Sequence, residues 1–555
     1  MMLIFKQFSI LRLNYWILIN CQKLKLKLFL LFLFSTLSYK MEESRVHPPQ
    51  VNYDNVLPLA VESRSNRREF LPVNGQSFSN STGSTICRID VNADSMLDAT
   101  HSYLECDITN NAAATNFLAL EQFTPAWIQR LRIESGGVVI EDINEYSRLF
   151  SMLSLCQCPK EYIKNNYSNL GLYKEQMSCV QQGVQPADAS EMASSGGSTG
   201  QAGGAQTKAT PATTELVYNM SSECVINGIE GDQVSGVPIA ANLANPSATG
   251  LANVHALSRL ASGATRKMCI PLVSGFLNMD KYIPLIMMNA GFTIELTLCD
   301  ANRIGITQTE TAGAAQGVQI DSAWSISNVR YIAHLIDMDR SFYDRLRMVM
   351  DGAGGVLQLA GQTYRHYSGL MDGAASQYTI SLPARVKSVK SIFGTFIASA
   401  QVGVNTNYDS SVFQSADLQS FRFEIGSVRY PQTDVSCNGK DQQSQREAEL
   451  DKAFGKIGDY QHQKAYAQKH TLNVQDARDG ETWGKSTLSS FFVGYDFEAF
   501  NRVLLEQGID TASRSLPINF IATKGLTAGQ VRADFYVLCD AIFYINLDGT
   551  ASVSV

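Results

Sequence analysis

Apolar and polar residues alternate along most of the chain after residue 74. In residues 292–298 every even position is apolar and every odd position is Thr or Glu. This period of two is typical of β-strands with one buried face. The same pattern recurs in further short segments: 85–91, 103–108, 127–140, 329–336, 378–382, 421–425, 531–537 and 541–547. We therefore predict two strand-rich halves, divided by the glycine-rich break at 352–355.

Turns and helices are predicted at a few places between these segments. Gly136 and Gly137 interrupt the alternation within 127–140, and paired glycines supply the positive φ that a tight hairpin turn needs. Apolar residues are spaced as in a helix over 143–153, and a charged stretch at 445–454 is also helical in pattern. We expect these helices to be short and to lie in loops inserted between strands.

The first 74 residues do not follow the strand pattern. The apolar run at 28–34 follows three spaced lysines, as in a signal peptide, but no A-x-A-like cleavage site follows it. The run is too short to span a bilayer. Met41 opens a polar stretch, so we expect translation from Met41 and regard residues 1–40 as a hydrophobic leader or upstream extension outside the fold. Residues 41–74 have no hydrophobic period and are predicted to form an N-terminal arm.

A second segment without strand pattern lies inside the first half. Residues 181–214 are crowded with Gly, Ala, Ser, Thr and Gln. Such a composition cannot bury a core. We predict a flexible insertion projecting from the first half of the protein, because loops of this length are either functional or disordered.

Composition and charge exclude two broad classes of protein. Hydrophobic residues make up 45% of the chain and charged residues 17%, which is typical of a globular protein and not of a mostly disordered one. The formal net charge is −7, and the region after residue 40 is more acidic still, because the first forty residues carry Lys and Arg but no acid. An acidic body argues against a surface that coats nucleic acid. A local basic strip stays possible.

The cysteines do not form a metal-binding pattern. Of the eleven cysteines, only Cys156 and Cys158 are close in sequence, whereas a zinc site needs two such pairs. Several others, including Cys87, Cys106 and Cys299, lie on the apolar phase of alternating segments, where a thiol behaves as a small hydrophobic group. We predict that these cysteines are reduced and buried, and we predict no metal and no cofactor.

The sequence matches known catalytic motifs only by chance. The G-x-S-x-G match at 196–200 lies within the low-complexity segment, without the strand and helix that a nucleophile elbow requires. The segment 480–486 resembles a phosphate-binding loop but is one residue short between its glycines. The seven histidines include no H-E-x-x-H motif. The sequence therefore predicts a structural protein and not an enzyme.

Two regions resemble a known family of such proteins. The run IQRLRIESGGVVIEDI at 128–143, preceded by LDATHSYL at 97–104, resembles the first barrel of double jelly-roll major capsid proteins, in particular those of polinton-like viruses, virophages and adintoviruses. The segments VGYDFE at 493–498, GIDT at 508–511, ADFYVLCD at 533–540 and LDG at 547–549 look like the end of their second barrel. The resemblance covers about 72–549, with gaps.

The resemblance implies an all-β fold of two consecutive eight-stranded jelly-roll β-sandwiches, with short helices in inserted loops. We assign the first jelly roll to residues 75–350 and the second to 351–555. The family implies homotrimeric, pseudo-hexagonal capsomers that tile an icosahedral shell around double-stranded DNA. The partners expected are other copies of the chain, a penton or minor capsid protein, and packaged DNA contacted non-specifically, with no small-molecule substrate. The expected location is the virion capsid, assembled inside the infected host cell.

Three arginines in the predicted arm are candidate contact residues. Arg64, Arg67 and Arg68 are clustered, and in a capsid they would lie on the inner face or between capsomers. The alternative, from another class of protein, is a secreted or surface tandem β-sandwich that binds glycans. Trp483 and Tyr460 are its candidate ligand-binding aromatics, although aromatic residues on loops are equally expected at a subunit interface.

Overall fold

The computed structural model describes most of the two predicted halves. The described residues are 62–79, 84–112, 116–120, 124–157, 259–260, 262–300, 303, 305–309, 323–372, 375–399, 413, 418–437, 444–454, 491–499, 507–513, 517–524 and 530–555. The predicted leader, the first part of the arm, the insertion at 181–214, both chance catalytic motifs, Trp483 and Tyr460 lie outside these ranges.

Strands dominate the described residues. In chain order they are β1 (Ser63–Phe70), β2 (Ser77–Phe78), β3 (Ile86–Val91), β4 (Met96–Asn110), β5 (Asn116–Leu120), β6 (Ile128–Ser135), β7 (Val138–Asn144), β8 (Arg259–Leu260), β9 (Thr265–Ile270), β10 (Ile283–Pro284), β11 (Phe292–Leu298), β12 (Gly305–Thr309), β13 (Trp324–Met338), β14 (Val356–Met371), β15 (Gln377–Leu382), β16 (Val389–Ala398), β17 (Leu418–Ile425), β18 (Val428–Ser436), β19 (Phe492–Asp496), β20 (Ile518–Lys524), β21 (Val531–Asn546) and β22 (Ala551–Ser554). The α-helices are α1 (Tyr146–Gln157), α2 (Arg340–Gly352) and α3 (Ser444–Phe454).

These strands form two sandwiches with one and the same topology. We call β1–β13 the first barrel and β14–β22 the second barrel. The two main sheets of the first barrel have the orders β1-β13-β4-β9 and β3-β11-β6-β7, and those of the second have β14-β21-β16-β19 and β15-β20-β17-β18. Strands β12, β5 and β8 form a separate three-stranded sheet in that order. The main strands of each barrel are the eight that occur in the orders of its two main sheets; those of the second barrel are β14–β21. Numbered 1 to 8 along the chain, the main strands of both barrels have the sheet orders 1-8-3-6 and 2-7-4-5. This order is that of an eight-stranded jelly roll, so the predicted double jelly roll is confirmed.

The alternation of the sequence builds both cores. In β3, Cys87, Ile89 and Val91 are buried while the residues between them are exposed, and β11 pairs with β3 in antiparallel register. The core of the second barrel is rich in phenylalanine, and the ring of Phe423 lies within 5.4 Å of that of Phe520. The hairpin between β6 and β7 turns at Gly136 and Gly137, which both have positive φ as predicted.

The prediction that the cysteines are buried is confirmed for the thiols of Cys87, Cys106 and Cys299, whereas Cys269 is only partly buried. Burial raises the pKa of Cys87 to about 12, so this thiol stays protonated and unreactive at neutral pH. Cys158 lies outside the described residues.

Three elements differ from the sequence-based expectations. Residues 63–70 of the predicted arm form β1, which pairs along its whole length with β13. The two terminal strands predicted at 531–537 and 541–547 are a single strand, β21, and β22 follows it as the last strand. Helix α2, which no pattern predicted, contains the expected boundary at residues 350 and 351 and connects the last strand of the first barrel to β14.

Candidate functional site

The two barrels meet at a junction in which charged side chains are buried. Arg148, on α1 of the first barrel, places its Nε atom 3.3 Å from Oδ2 of Asp534, on β21 of the second barrel. Their side chains are 1% and 0% exposed, respectively. His366 on β14 lies 3.0 Å from the other carboxylate oxygen of Asp534. Removal of one member of such a group leaves an uncompensated buried charge, which is strongly destabilising.

The protonation of Asp534 follows from these neighbours. Burial by itself raises the pKa of a carboxyl group, but the hydrogen bond with His366 and the charges of Arg148 and Arg532 outweigh it. The pKa of Asp534 is therefore held well below its usual range. The carboxylate is charged at neutral pH and can pair with arginine from the other barrel.

Glu145 is a second crossing point, located in the turn between β7 and α1. It forms ion pairs with Arg303 of its own barrel at 2.7 Å and with Arg532 of the second barrel at 2.9 Å. Burial opposes its ionisation, but the two guanidinium groups lower its pKa to about 2. Its backbone φ is +50°, a left-handed conformation that is uncommon for a residue other than glycine. The Tyr536 hydroxyl, from the second barrel, donates to the Glu145 carbonyl at 2.9 Å.

Glu141 fastens a loop of the first barrel against the second. Its carboxylate accepts hydrogen bonds from the Ser274 hydroxyl, from the Gly275 N–H at 2.9 Å and from the Phe276 N–H at 3.4 Å. The Thr363 hydroxyl, on β14 of the second barrel, donates to it at 2.8 Å. Burial raises the pKa of Glu141, although these hydrogen bonds act against the rise. One carboxyl group thus connects both barrels.

Close packing accompanies these polar contacts. A Cβ atom placed on Gly275 would lie 1.4 Å from the carbonyl oxygen of Gln362 on β14, so the two backbones touch at this point and only glycine fits. The ring of Phe276 contacts Phe292 of the first barrel at 5.5 Å and Phe543 of the second at 5.3 Å. Apolar residues of both barrels therefore belong to one continuous core cluster.

The three predicted contact arginines lie on β1 but do not share a face. Successive side chains of a strand point to opposite sides, so Arg67 lies on one side and Arg64 and Arg68 on the other. The Arg68 guanidinium lies 5.0 Å from the centre of the Phe70 ring. Arg64 lies opposite Asp337 in the register with β13. The structure therefore separates these residues into two groups and does not form one basic patch.

Arg67 belongs to a row of charges across the outer side of the first barrel. We call this row the charged strip; it comprises Arg67, Glu69, Glu105, Lys267 and Arg330. Arg330 reaches Glu69 at 2.9 Å and Glu105 at 3.0 Å, and Lys267 reaches Glu105 at 3.0 Å. The side chains of Arg67 and Lys267 are 55% and 57% exposed. We call this sheet surface the open face, because seven of the eight residues of its edge strand β1 are exposed.

The junction residues were not predicted, although the sequence contains a signal for them. Arg148 is the only charged residue of α1, within an otherwise apolar and serine-containing stretch. Asp534 and Asp540 interrupt a run that is buried from Ala533 to Ala541. A lone charge within an apolar element indicates a buried partner elsewhere in the fold.

The described residues contain no cluster of side chains suited to bind a metal ion. Within these ranges, no group of three or more His, Cys, Asp or Glu side chains could hold a metal ion. None of the helices that the structure describes has the length and apolar composition needed to cross a membrane. The arrangement that stands out is a junction between barrels, together with an open sheet face.

Comparison with known proteins finds likenesses of structure. No known family profile matches the sequence, and no curated protein matches it. A quasi-atomic model of the PBCV-1 virus capsid is 9% identical, covering 91% of this chain and 99% of that chain, with a TM-score of 0.49. The Faustovirus major capsid protein is 10% identical in sequence; the match covers 90% of this chain and 93% of that chain, with a TM-score of 0.47. The mavirus major capsid protein is also 10% identical; the match covers 92% of this chain and 95% of that chain, with a TM-score of 0.44. The chain is thus similar to viral capsid proteins over most of its length.

Proposed function

We propose that this chain is a viral major capsid protein that self-assembles into homotrimeric, pseudo-hexagonal capsomers. The observation that carries the proposal is the presence of two jelly rolls with identical strand order, joined through a buried junction. Three such chains supply six barrels of similar shape, which is the number needed to form a hexagonal outline. The sequence resemblance in 128–143 and near the C-terminus supports the same assignment.

The capsomers would tile an icosahedral shell that encloses double-stranded DNA. The protein would then act as a structural component of the virion capsid, not as an enzyme, and would assemble inside the infected host cell. Its partners would be other capsomers and a penton or minor capsid protein. Jelly rolls suit this role because two closed sheets leave few strand edges open to uncontrolled pairing.

Arg64 and Arg68 are the candidate contacts with packaged DNA or with neighbouring capsomers. They share one side of β1. Because each capsomer would contain three chains and a shell many capsomers, the positive charge of these two residues would be repeated many times on the shell. Glutamine at both positions should leave isolated trimers unchanged, but it should lower the yield of closed particles or make that yield less sensitive to salt.

The test of the function is the native mass of the protein expressed from Met41, followed by electron microscopy of assembled particles. We expect a mass of three chains and, under assembly conditions, closed icosahedral particles. A monomer at all concentrations would contradict the proposal and would favour the glycan-binding alternative, which glycan-array binding would then examine.

A further inference from the structure

The hairpin between strands four and five of each jelly roll is repeated in sequence as well as in structure. IQRLRIESGGVV at 128–139 aligns without gaps with LQSFRFEIGSVR at 418–429. Five positions are identical in this alignment and also have equal places in the hairpins: Gln129 with Gln419, Arg132 with Arg422, Glu134 with Glu424, Gly136 with Gly426, and Val138 with Val428. Strands β6 and β17 are both eight residues long. Therefore β7 of the first barrel corresponds to β18 of the second.

The two corresponding strands have different surroundings. In the first barrel, β7 contacts β14 and β22 of the second barrel, and its residues Ile140, Glu141 and Ile143 are buried. In the second barrel, most of β18 is exposed, including Gln432 and Asp434. Since the strands are equivalent, β18 exposes an edge whose counterpart is covered by a neighbouring barrel.

The other half of the junction shows the same contrast. The outer face of the sheet β14-β21-β16 is covered by the first barrel, so that His366, Asp534 and Tyr536 are nearly inaccessible. The corresponding sheet β1-β13-β4 of the first barrel carries the open face, with seven of the eight residues of β1 exposed. Each chain therefore contains one complete junction. It also exposes the two surfaces that a second junction would need, the edge at β18 on the second barrel and the open face on the first barrel.

We propose that β18 of one copy packs on the open face of the next copy and so repeats the junction between chains. This inference rests on the proposed function, because it names the surfaces by which capsomer subunits would join. The contact is heterologous, and such contacts close into a ring when the rotation between copies permits it. The β18 side offers Arg429 and Asp434, which are 58% and 41% exposed, to the mixed charges of the charged strip.

Tryptophan substitutions at exposed strand positions test the two surfaces separately. Ser65→Trp on β1 alters the open face, and Gln432→Trp alters the β18 edge. Ser381→Trp is the matched control, because Ser381 is also exposed but lies on β15, at the edge of its sheet opposite to β18. All three variants should fold, since none of these side chains is buried, and an unchanged melting temperature verifies this.

Native mass measurement should give monomers for Ser65→Trp and Gln432→Trp and trimers for Ser381→Trp. We expect the trimer fraction of the first two variants to fall at least tenfold at a concentration where the unsubstituted protein is trimeric. Trimers in either of these variants, or their loss in Ser381→Trp, would overturn the inference while leaving the proposed function intact. An unsubstituted protein that is monomeric would instead overturn the proposed function.

Mixing the two monomeric variants gives a sharper test. Ser65→Trp retains an intact β18 edge, and Gln432→Trp retains an intact open face. One contact can therefore form between them, and the ring cannot close. We expect chemical cross-linking of the mixture to yield dimers containing one chain of each variant, above the level of either variant alone. Absence of these mixed dimers would contradict a heterologous contact between the two surfaces.

Discussion

Gly275 is the position at which the smallest substitution should disturb the junction most. Its backbone N–H donates to Glu141 at 2.9 Å. A Cβ atom added there would lie 1.4 Å from the carbonyl oxygen of Gln362 and 2.5 Å from its carbonyl carbon. The obstructing atoms belong to the backbone of β14, so no side-chain rotation can make room. Gly275→Ala must either displace the loop or separate the barrels.

The expected magnitude follows from what such a displacement breaks. Overpacking a filled site typically costs about 1–3 kcal/mol, and a lost hydrogen bond to a charged group about 1.5–3 kcal/mol. Together these terms predict a loss of about 4 kcal/mol in the free energy of unfolding. For a domain of about 150–250 residues, each kcal/mol corresponds to about 2–4 °C. The melting temperature should therefore fall by about 8–16 °C.

Differential scanning calorimetry measures this change, and Gly352→Ala is the matched control. Gly352 ends α2, has no positive φ, and would place its Cβ in open space. The same substitution there should leave stability unchanged or raise it by up to about 1 kcal/mol, because alanine is the better helix former. Equal melting temperatures for Gly275→Ala and the unsubstituted protein would refute the close approach of the two barrels.

Two further substitutions test the second barrel and the junction charges. Phe423→Asp should unfold the second barrel, because truncating a buried phenylalanine costs about 3–5 kcal/mol and the carboxylate adds desolvation. Circular dichroism and native mass would record it, with Ser381→Asp, at an exposed position of β15, as control. Glu145 contributes stability that is present above its ordinary pKa of 4.5 and is lost as the pH falls towards 2. Glu145→Gln should therefore lower the free energy of unfolding at neutral pH by about 3 kcal/mol. It should also reduce the loss of that free energy between pH 4.5 and 2, measured by denaturant unfolding at several pH values.

Each of these two predictions has a distinct contrary outcome. A soluble Phe423→Asp protein with unchanged melting temperature would mean that Phe423 does not face the core of the second barrel. If the free energy of unfolding falls as steeply with decreasing pH in Glu145→Gln as in the unsubstituted protein, other carboxyl groups cause the loss of stability at low pH. Glu141 acts in the opposite direction, because its raised pKa favours the folded state as the pH falls.

Elements with one buried face were predictable from the sequence. Their alternation places apolar side chains on one side and polar side chains on the other, so β3, β11, β15 and β17 follow from local pattern alone. The helix predicted at 445–454 is confirmed as α3, which begins one residue earlier, at Ser444. Phe423 is fully buried, as its place between Phe421 and Ile425 indicates.

Elements with no buried face, or with two, were not predictable in the same way. Seven of the eight residues of β1 are exposed, so this strand carries no apolar phase; its pairing with β13, the ion pairs of the charged strip and the buried Phe70 hold it in place. Helix α2 is similarly exposed and buries only Met350. Strand β21 is covered on both sides from Ala533 to Ala541, and this continuous burial obscures its period. The junction itself depends on residues far apart in sequence, such as Arg148 and Asp534.

The chemistry of the junction suits an interface that must fix an angle. Apolar packing such as that of Phe276 against Phe543 supplies attraction but tolerates sliding, because dispersion forces have little directional preference. Buried ion pairs add little net stability over an apolar replacement, but they are destabilising when misaligned. Arg148 with Asp534 and Glu145 with Arg532 therefore select one relative orientation of the barrels. In a ring of three chains, any error in that orientation would be repeated three times, so a junction fixed by charges favours closure at one geometry.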